Sequence, residues 1–310
     1  MKPLFVLLIA LGLVACSKDP AKVTEDVAKA MGAGEFEDAE ENLRWLLERN
    51  PKDTKLQANL AFALTSQGKD QEALPLYEAL IAGGDGSYDL FAYYAKTLDA
   101  VGRPNDAITW NYRALAVVPQ LVDVRRDLAK ILVKQDRAFE ALSLLASFDD
   151  ELQEKGRPAF FEAQRIAIAS SLPPAVGKAE GEPLKSVRIG GHFYAIAVGG
   201  NGESLPFLID TGASHTTLSH EALAMLGLRI PASSRSVRMS TADGYIVTGR
   251  QFTVPTFQIG PYALESLPIV VCDNCAALLG QSTLERFDLK TRKADGLEVL
   301  SMSLREAQAE

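Results

Sequence analysis

The segment Leu205-Pro206-Phe207-Leu208-Ile209-Asp210-Thr211-Gly212-Ala213-Ser214 decides how the second half of this chain is read. An apolar run ends in an acid, and Thr and Gly follow at once. A strand of this kind carries a carboxylate out of a core onto a turn, where Gly212 lets another backbone approach closely. The plain structural alternative is a carboxylate that caps its own turn.

Upstream of this segment, Val187, Ile189, Phe193, Ala195 and Ala197 recur with a period near two, interrupted by Gly190-Gly191. Gly199-Gly200-Asn201-Gly202 marks the next turn. Downstream, Met239-Ser240-Thr241-Ala242-Asp243-Gly244-Tyr245-Ile246-Val247 predicts a hairpin with an Asp-Gly tip. Further on, Leu278-Leu279-Gly280 is an apolar pair closed by Gly, followed by Leu284 and Phe287 in an expected short helix. Short strands and tight turns therefore predict a β domain from Ser186 to Leu300.

These three elements, in this order, resemble the retropepsin-like aspartic proteases, whose signature is an apolar run before Asp-Thr-Gly-Ala and whose second hallmark is an apolar pair before Gly. The likeness is greatest to the bacterial periplasmic members. Asp-Thr-Gly by itself also occurs in phosphatases and actin-like ATPases, so the order and spacing of all three elements carry the resemblance. It implies a closed β-barrel with Asp210, Thr211 and Gly212 as the catalytic triplet. Ala213 and the flap-tip residues Ala242, Asp243 and Gly244 would face a peptide or protein substrate. In the family, the Thr matching Thr211 hydrogen-bonds across to a second chain, and the Gly matching Gly212 borders the substrate. The chain has one such triplet, whereas the chemistry needs two carboxylates astride one water. The resemblance thus implies a homodimer whose two Asp210 side chains share a proton, with no metal and no organic cofactor.

Cys272 and Cys275 precede the second hallmark. In an exported protein such a pair closes a small disulfide loop. Zinc is the alternative, with His215 and His220 completing four donors, but the two pairs are far apart in sequence. A thioredoxin-like role lacks its βαβ setting.

The first half is periodic on a different scale. Ala39, Ala73, Ala107 and Ala141 are spaced by 34 residues, with Gly34, Gly68 and Gly102 five residues before the first three. Pro51 and Pro119 stand in matching positions. This is the tetratricopeptide pattern: small Ala where two helices meet, Gly at the turn, Pro beyond the second helix. Asp136 and Asp85 stand where Gly and Pro are expected. Four helix pairs are predicted from about residue 22 to 150, with a capping helix from Pro158 to Ser171. Arrays of this kind bind proteins or peptides on a concave face, and the bland alternative is a spacer. Tyr77, Tyr93, Tyr94, Trp110 and Tyr112 are read mostly as packing residues.

At the N-terminus Lys2 precedes an apolar run from Leu4 to Ala15, too short to span a bilayer but suited to an export signal. Leu13-Val14-Ala15-Cys16 resembles the bacterial lipobox, which implies lipidation of Cys16. Ser17 rather than Asp after the Cys implies transport to the outer membrane. An ordinary cleaved signal with an incidental Cys is the alternative.

A chain of 310 residues has room for about two domains. Its net charge of -8 offers no basic stripe for phosphate neutralisation, which argues against nucleic acid as a partner. The expected fold is a tetratricopeptide α-superhelix followed by a retropepsin-like closed β-barrel. Its parts are a signal peptide at 1–15, a lipidated tether at 16–21, repeats at 22–172, a linker at 173–185 and the protease domain at 186–310. The expected activity is that of a periplasm-facing, membrane-anchored aspartic endopeptidase acting as a homodimer, with a protein partner in the repeat groove. The competing expectation is a catalytically silent adaptor.

Overall fold

The computed structural model describes residues 18–172, 183–240 and 244–305. Cys16, Ala242, Asp243 and most of the expected linker lie outside the described residues. Two compact units are present, Met1–Asp85 and Gly86–Glu310. No helix among the described residues is long and apolar enough to cross a membrane.

In the first unit, α1 (Pro20–Ala33) packs on α2 (Phe36–Arg49), α2 on α3 (Thr54–Ser66), and α3 on α4 (Asp70–Ala82). The carboxylates of Asp19 and Asp53 cap α1 and α3, taking up amide groups that the first turn leaves without partners. Ala39 and Ala73 are fully buried where helices meet, as the repeat spacing requires.

The second unit opens with α5 (Tyr88–Ala100), α6 (Pro104–Val117), α7 (Val122–Lys134), α8 (Ala138–Glu154) and α9 (Glu162–Ser170). Ala107 and Ala141 are again fully buried. At the turns, Gly34, Gly68 and Gly102 have φ of 77°, 73° and 80°, and Asp136 takes the same left-handed conformation at 58°. An acid therefore substitutes for Gly at the fourth turn, as short polar residues tolerate this region better than most. The helix expected from Pro158 begins only at Glu162, and it is not a purely solvent-facing cap: its Arg165 donates to the carbonyl oxygen of Ser204.

The β part contains β1 (Leu184–Val187), β2 (Tyr194–Val198), β3 (Ser204–Ile209), β4 (Thr216–Leu218), β5 (Arg235–Ser240), β6 (Ile246–Ile259), β7 (Tyr262–Val271), β8 (Leu278–Leu279), β9 (Phe287–Ala294) and β10 (Leu297–Leu304). Helices α10 (His220–Met225) and α11 (Gln281–Leu284) interrupt them. Six strands close a barrel in the order β2-β3-β8-β4-β7-β6, with β6 returning to β2, and β5 extends beside β6. The strands β1-β10-β9 form a separate sheet. Phe287 opens β9 rather than ending a helix, because α11 stops after Leu284. Phe207, Ile259, Ile269, Leu279 and Phe287 fill the barrel core.

Strands β2 and β3 are buried on both faces. Ala195 and Ala197 point into the barrel core while Ile196, also fully buried, lies on the alternate face. That second face is covered by α8, whose Ser143 donates to the carbonyl oxygen of Tyr194. Asp149 of α8 is fully buried, accepts from the amides of Phe160 and Phe161, and pairs with Arg165. A buried carboxylate needs such partners to offset its desolvation.

Candidate active site

Asp210 follows β3 directly, half-buried, while Thr211 and Gly212 are exposed. The turn is held from below by β8. Leu208 and Ile209 run parallel to Leu278 and Leu279, the amide of Leu208 donates to the carbonyl of Ala277, and that of Asp210 to the carbonyl of Leu279 at 3.1 Å. Asp210 Oδ1 accepts the Gly212 amide at 2.8 Å, which fixes the carboxylate orientation relative to its own turn. The two sequence hallmarks are thus neighbours in one hydrogen-bonded structure, though nearly seventy residues separate them.

Gly280 sits where the chain crosses this turn. A Cβ on it would overlap the His215 carbonyl and come within 2.8 Å of the Ala213 oxygen, so backbone occupies the space a side chain needs. Its amide donates to Thr216 Oγ1 at 3.2 Å. Thr216 and Thr283, both fully buried, share a hydroxyl–hydroxyl bond of 2.5 Å. The amides of Gln281 and Ser282 donate to the carbonyls of Ala213 and Ser214. Gln281 Nε2 donates to the carbonyl of Thr211 at 2.8 Å, and the Thr216 amide to Ser282 Oγ at 3.0 Å. The reading of the sequence missed Thr216, Gln281, Ser282 and Thr283; its signal was the polar run Gln281-Ser282-Thr283 inside an otherwise apolar stretch.

The expected flap is a ribbon made by β5 and the first part of β6, paired from Arg235↔Gln251 to Ser240↔Ile246. It is largely exposed, with Tyr245 at 71% and Ile246 at 70%, and Gly244 takes φ of 86° at its tip. Exposure alternates along it, with Val237, Met239 and Val247 half-buried on one face and the other face open to solvent.

Cys272 and Cys275 are joined as a disulfide at the end of β7. His220 Nδ1 lies 3.1 Å from Asp273 Oδ1 on the loop this bond closes. Among the described residues no group of three or more His, Cys, Asp and Glu gathers to hold a metal. His192 forms a bridge with Ile189 in a turn.

Away from this turn, a concavity of about 390 Å³ lies between α5 and α7. Tyr88, Tyr93, Lys96, Asp127, Lys130 and Lys134 are among its walls, giving aromatic and alternating charged groups. Tyr77, Tyr94 and Tyr112 are instead buried in the helix packing.

Residues 196–286 match the family model described as "gag-polyprotein putative aspartyl protease". A retropepsin-like aspartic protease from Rickettsia conorii is similar at 28% identity over 39% of this chain and 99% of its own, with a TM-score of 0.32. MamA from residue 41 onward, from Desulfovibrio magneticus RS-1, is similar at 17% identity over 44% of this chain and 77% of its own (TM-score 0.41). The first tetratricopeptide domain of human RPAP3 is similar at 17% identity over 38% and 92% (TM-score 0.35). No curated protein matches the chain.

Proposed function

We propose that this chain, a retropepsin-like aspartic protease domain fused to tetratricopeptide repeats, is an endopeptidase whose active form is a homodimer. The observation that carries the reading is Asp210, presented on an exposed turn inside the segment that matches the aspartyl protease model and braced by the second hallmark through Leu279. An adaptor has no evident need for an acid in that place.

Each chain supplies one Asp210, so two chains are needed to flank one water. Two carboxylates astride one water cannot both ionise cheaply, and the pair shares a proton. The ionised Asp210 takes a proton from the attacking water as the water oxygen bonds to the scissile carbonyl carbon. The protonated Asp210 of the partner donates to the carbonyl oxygen. On collapse of the resulting diol the carboxyl that took the water's proton delivers it to the leaving amine as the C–N bond breaks, and a diol hydroxyl returns its proton to the partner's carboxylate. The exposed ribbon ending near Tyr245 is suited to fold over an extended peptide, adding strand-like contacts.

The repeats supply the second half of the reading. The groove between α5 and α7 would take a segment of a partner or substrate protein, with Tyr93 as an apolar contact and a wall of mixed charge in which Lys130 already pairs with Asp127. Lipidation of Cys16 would hold the protein at the bacterial outer membrane, facing the periplasm, and loss of membrane association in Cys16→Ser checks that part. The main test is cleavage of a peptide library by the purified chain beside Asp210→Asn. Cleavage by the wild type alone supports the reading, and cleavage by both removes the aspartic mechanism.

A further inference from the structure

We propose that the Cys272–Cys275 disulfide is a thiol-exchange site through which a dithiol reductant loosens the catalytic turn. The proposal goes beyond the peptidase reading to its regulation, and its catalytic consequence rests on that reading.

The first ground is placement. Cys272 directly follows β7, with its amide bonded to the carbonyl of Leu218 on β4. Only four residues lie between Cys275 and Gly280. Within them the Ala276 carbonyl accepts from Thr217 Oγ1 at 3.0 Å, the Ala277 carbonyl from the Leu208 amide at 2.9 Å, and the Leu279 carbonyl from the Asp210 amide. Strand β8 has two residues, so it has little pairing of its own. Its register against Asp210 therefore depends on where the chain leaves β7, and the disulfide fixes that point.

The second ground is asymmetry of access. Cys272 is 1% exposed, close to Gly249 of β6, whose missing side chain leaves room for Val270 and the Val271 carbonyl. Cys275 is partly exposed, next to the exposed Asp273 and Asn274. Asn274, itself exposed, turns the tight loop with a left-handed φ of 57°. An incoming thiolate therefore reaches the sulfur of Cys275 rather than that of Cys272.

The exchange balances in two steps. A thiolate of the dithiol bonds to Cys275 Sγ, the Cys272–Cys275 bond breaks, and Cys272 Sγ leaves as a thiolate that takes up a proton. The second thiol of the reductant then attacks the mixed disulfide, closing its own disulfide and releasing Cys275 as a thiol. The reductant is oxidised by two electrons and the cysteine pair reduced by two. The opened loop no longer ties Ala276 and Ala277 to the end of β7, and the Leu279–Asp210 contact is released more often.

The test follows amide hydrogen exchange and peptide cleavage in the full-length protein, oxidised and after treatment with dithiothreitol, with thiols counted in each state. The expected result is two additional thiols per chain and roughly tenfold faster exchange at the amides of Leu208 and Asp210, with β6 and β7 still protected. Cleavage falls roughly tenfold or more, since small misplacements of a catalytic group are costly, and returns on reoxidation. The double variant Cys272→Ser with Cys275→Ser behaves as the reduced protein in both readouts. Two additional thiols with unchanged exchange at Leu208 and Asp210 overturn the proposal, and so does a disulfide that dithiothreitol cannot open in the folded protein. Exchange that responds in a protein without any cleavage upholds the coupling and counts against the peptidase reading instead.

Discussion

Gln281 Nε2 donates to the main-chain oxygen of Thr211 across 2.8 Å, so the side chain directly after the second hallmark is fastened to the turn that carries the candidate catalytic acid. A net hydrogen bond of this kind contributes about 0.5–1.5 kcal/mol, enough to bias the turn without deciding whether the barrel folds. Gln281→Leu, which keeps much of the volume and removes the donor, is expected to lower kcat by roughly threefold to tenfold with KM nearly unchanged. Steady-state kinetics on one peptide substrate check it, and a rise in KM alone would assign Gln281 to substrate binding.

Gly280→Ala is expected to be far more severe. The added methyl meets the backbone of Ala213 and His215, neither of which can rotate away as a side chain would. Overpacking of this sort costs about 1–3 kcal/mol or more, and here the displaced atoms belong to the catalytic turn. Urea unfolding and peptide cleavage measured together are expected to show both a lowered midpoint and lost activity.

In the first unit, Glu40 gives a pH-dependent contribution. Burial raises its pKa, but bonds from Lys69, Gln67 and Arg44 outweigh that and lower it from 4.5 to about 2. A carboxyl depressed in the folded state stabilises fully above its unfolded value, and the contribution is lost as pH falls from about 4.5 toward 2. Since Lys69 and Arg44 are themselves 40% and 47% exposed, we discount the linkage ceiling to about 1–2 kcal/mol at neutral pH. Glu40→Gln is expected to lose that much in urea unfolding at pH 7, with the gap to wild type narrowing at pH 3.

Asp150 on α8 acts in the opposite sense. Burial, then the charge of Glu154, pushes its carboxyl up from 3.8 to about 6, while Arg165 pulls the other way. Because the folded pKa lies above the unfolded one, ionised Asp150 destabilises the second unit; the cost is absent below about pH 4, grows toward pH 6 and is constant above. Asp150→Asn is therefore expected to raise the thermal midpoint at pH 7.5 and to leave it almost unchanged at pH 4. Equal shifts at both pH values would mean the carboxylate is not the cause.

Much of this architecture was legible from spacing alone. A period of 34 placed four Ala at helix contacts, and all four are fully buried, because only a small side chain lets two helix axes approach that closely. Even the Asp136 departure kept the left-handed turn. The barrel hallmarks were legible because an acid ends the apolar run at Asp210 and because backbone leaves no room for a side chain at Gly280. The cover over β2 and β3 was not legible. Ile196 in its apolar run gives the sign of a strand buried on both faces, yet nothing local to it names α8 as the covering element. Thr216 and Thr283 escaped for a related reason: a buried hydroxyl pair between residues 67 positions apart has no periodicity to mark it.

Subunit mixing tests the central claim most directly. Wild type and Asp210→Asn are combined at fixed total concentration, allowed to exchange, and assayed for peptide cleavage. If one Asp210 from each chain forms the site, mixed dimers are silent and an equal mixture retains about one quarter of the wild-type rate. A mixture that retains the half expected from simple dilution, at a rate independent of protein concentration, would contradict the shared dyad.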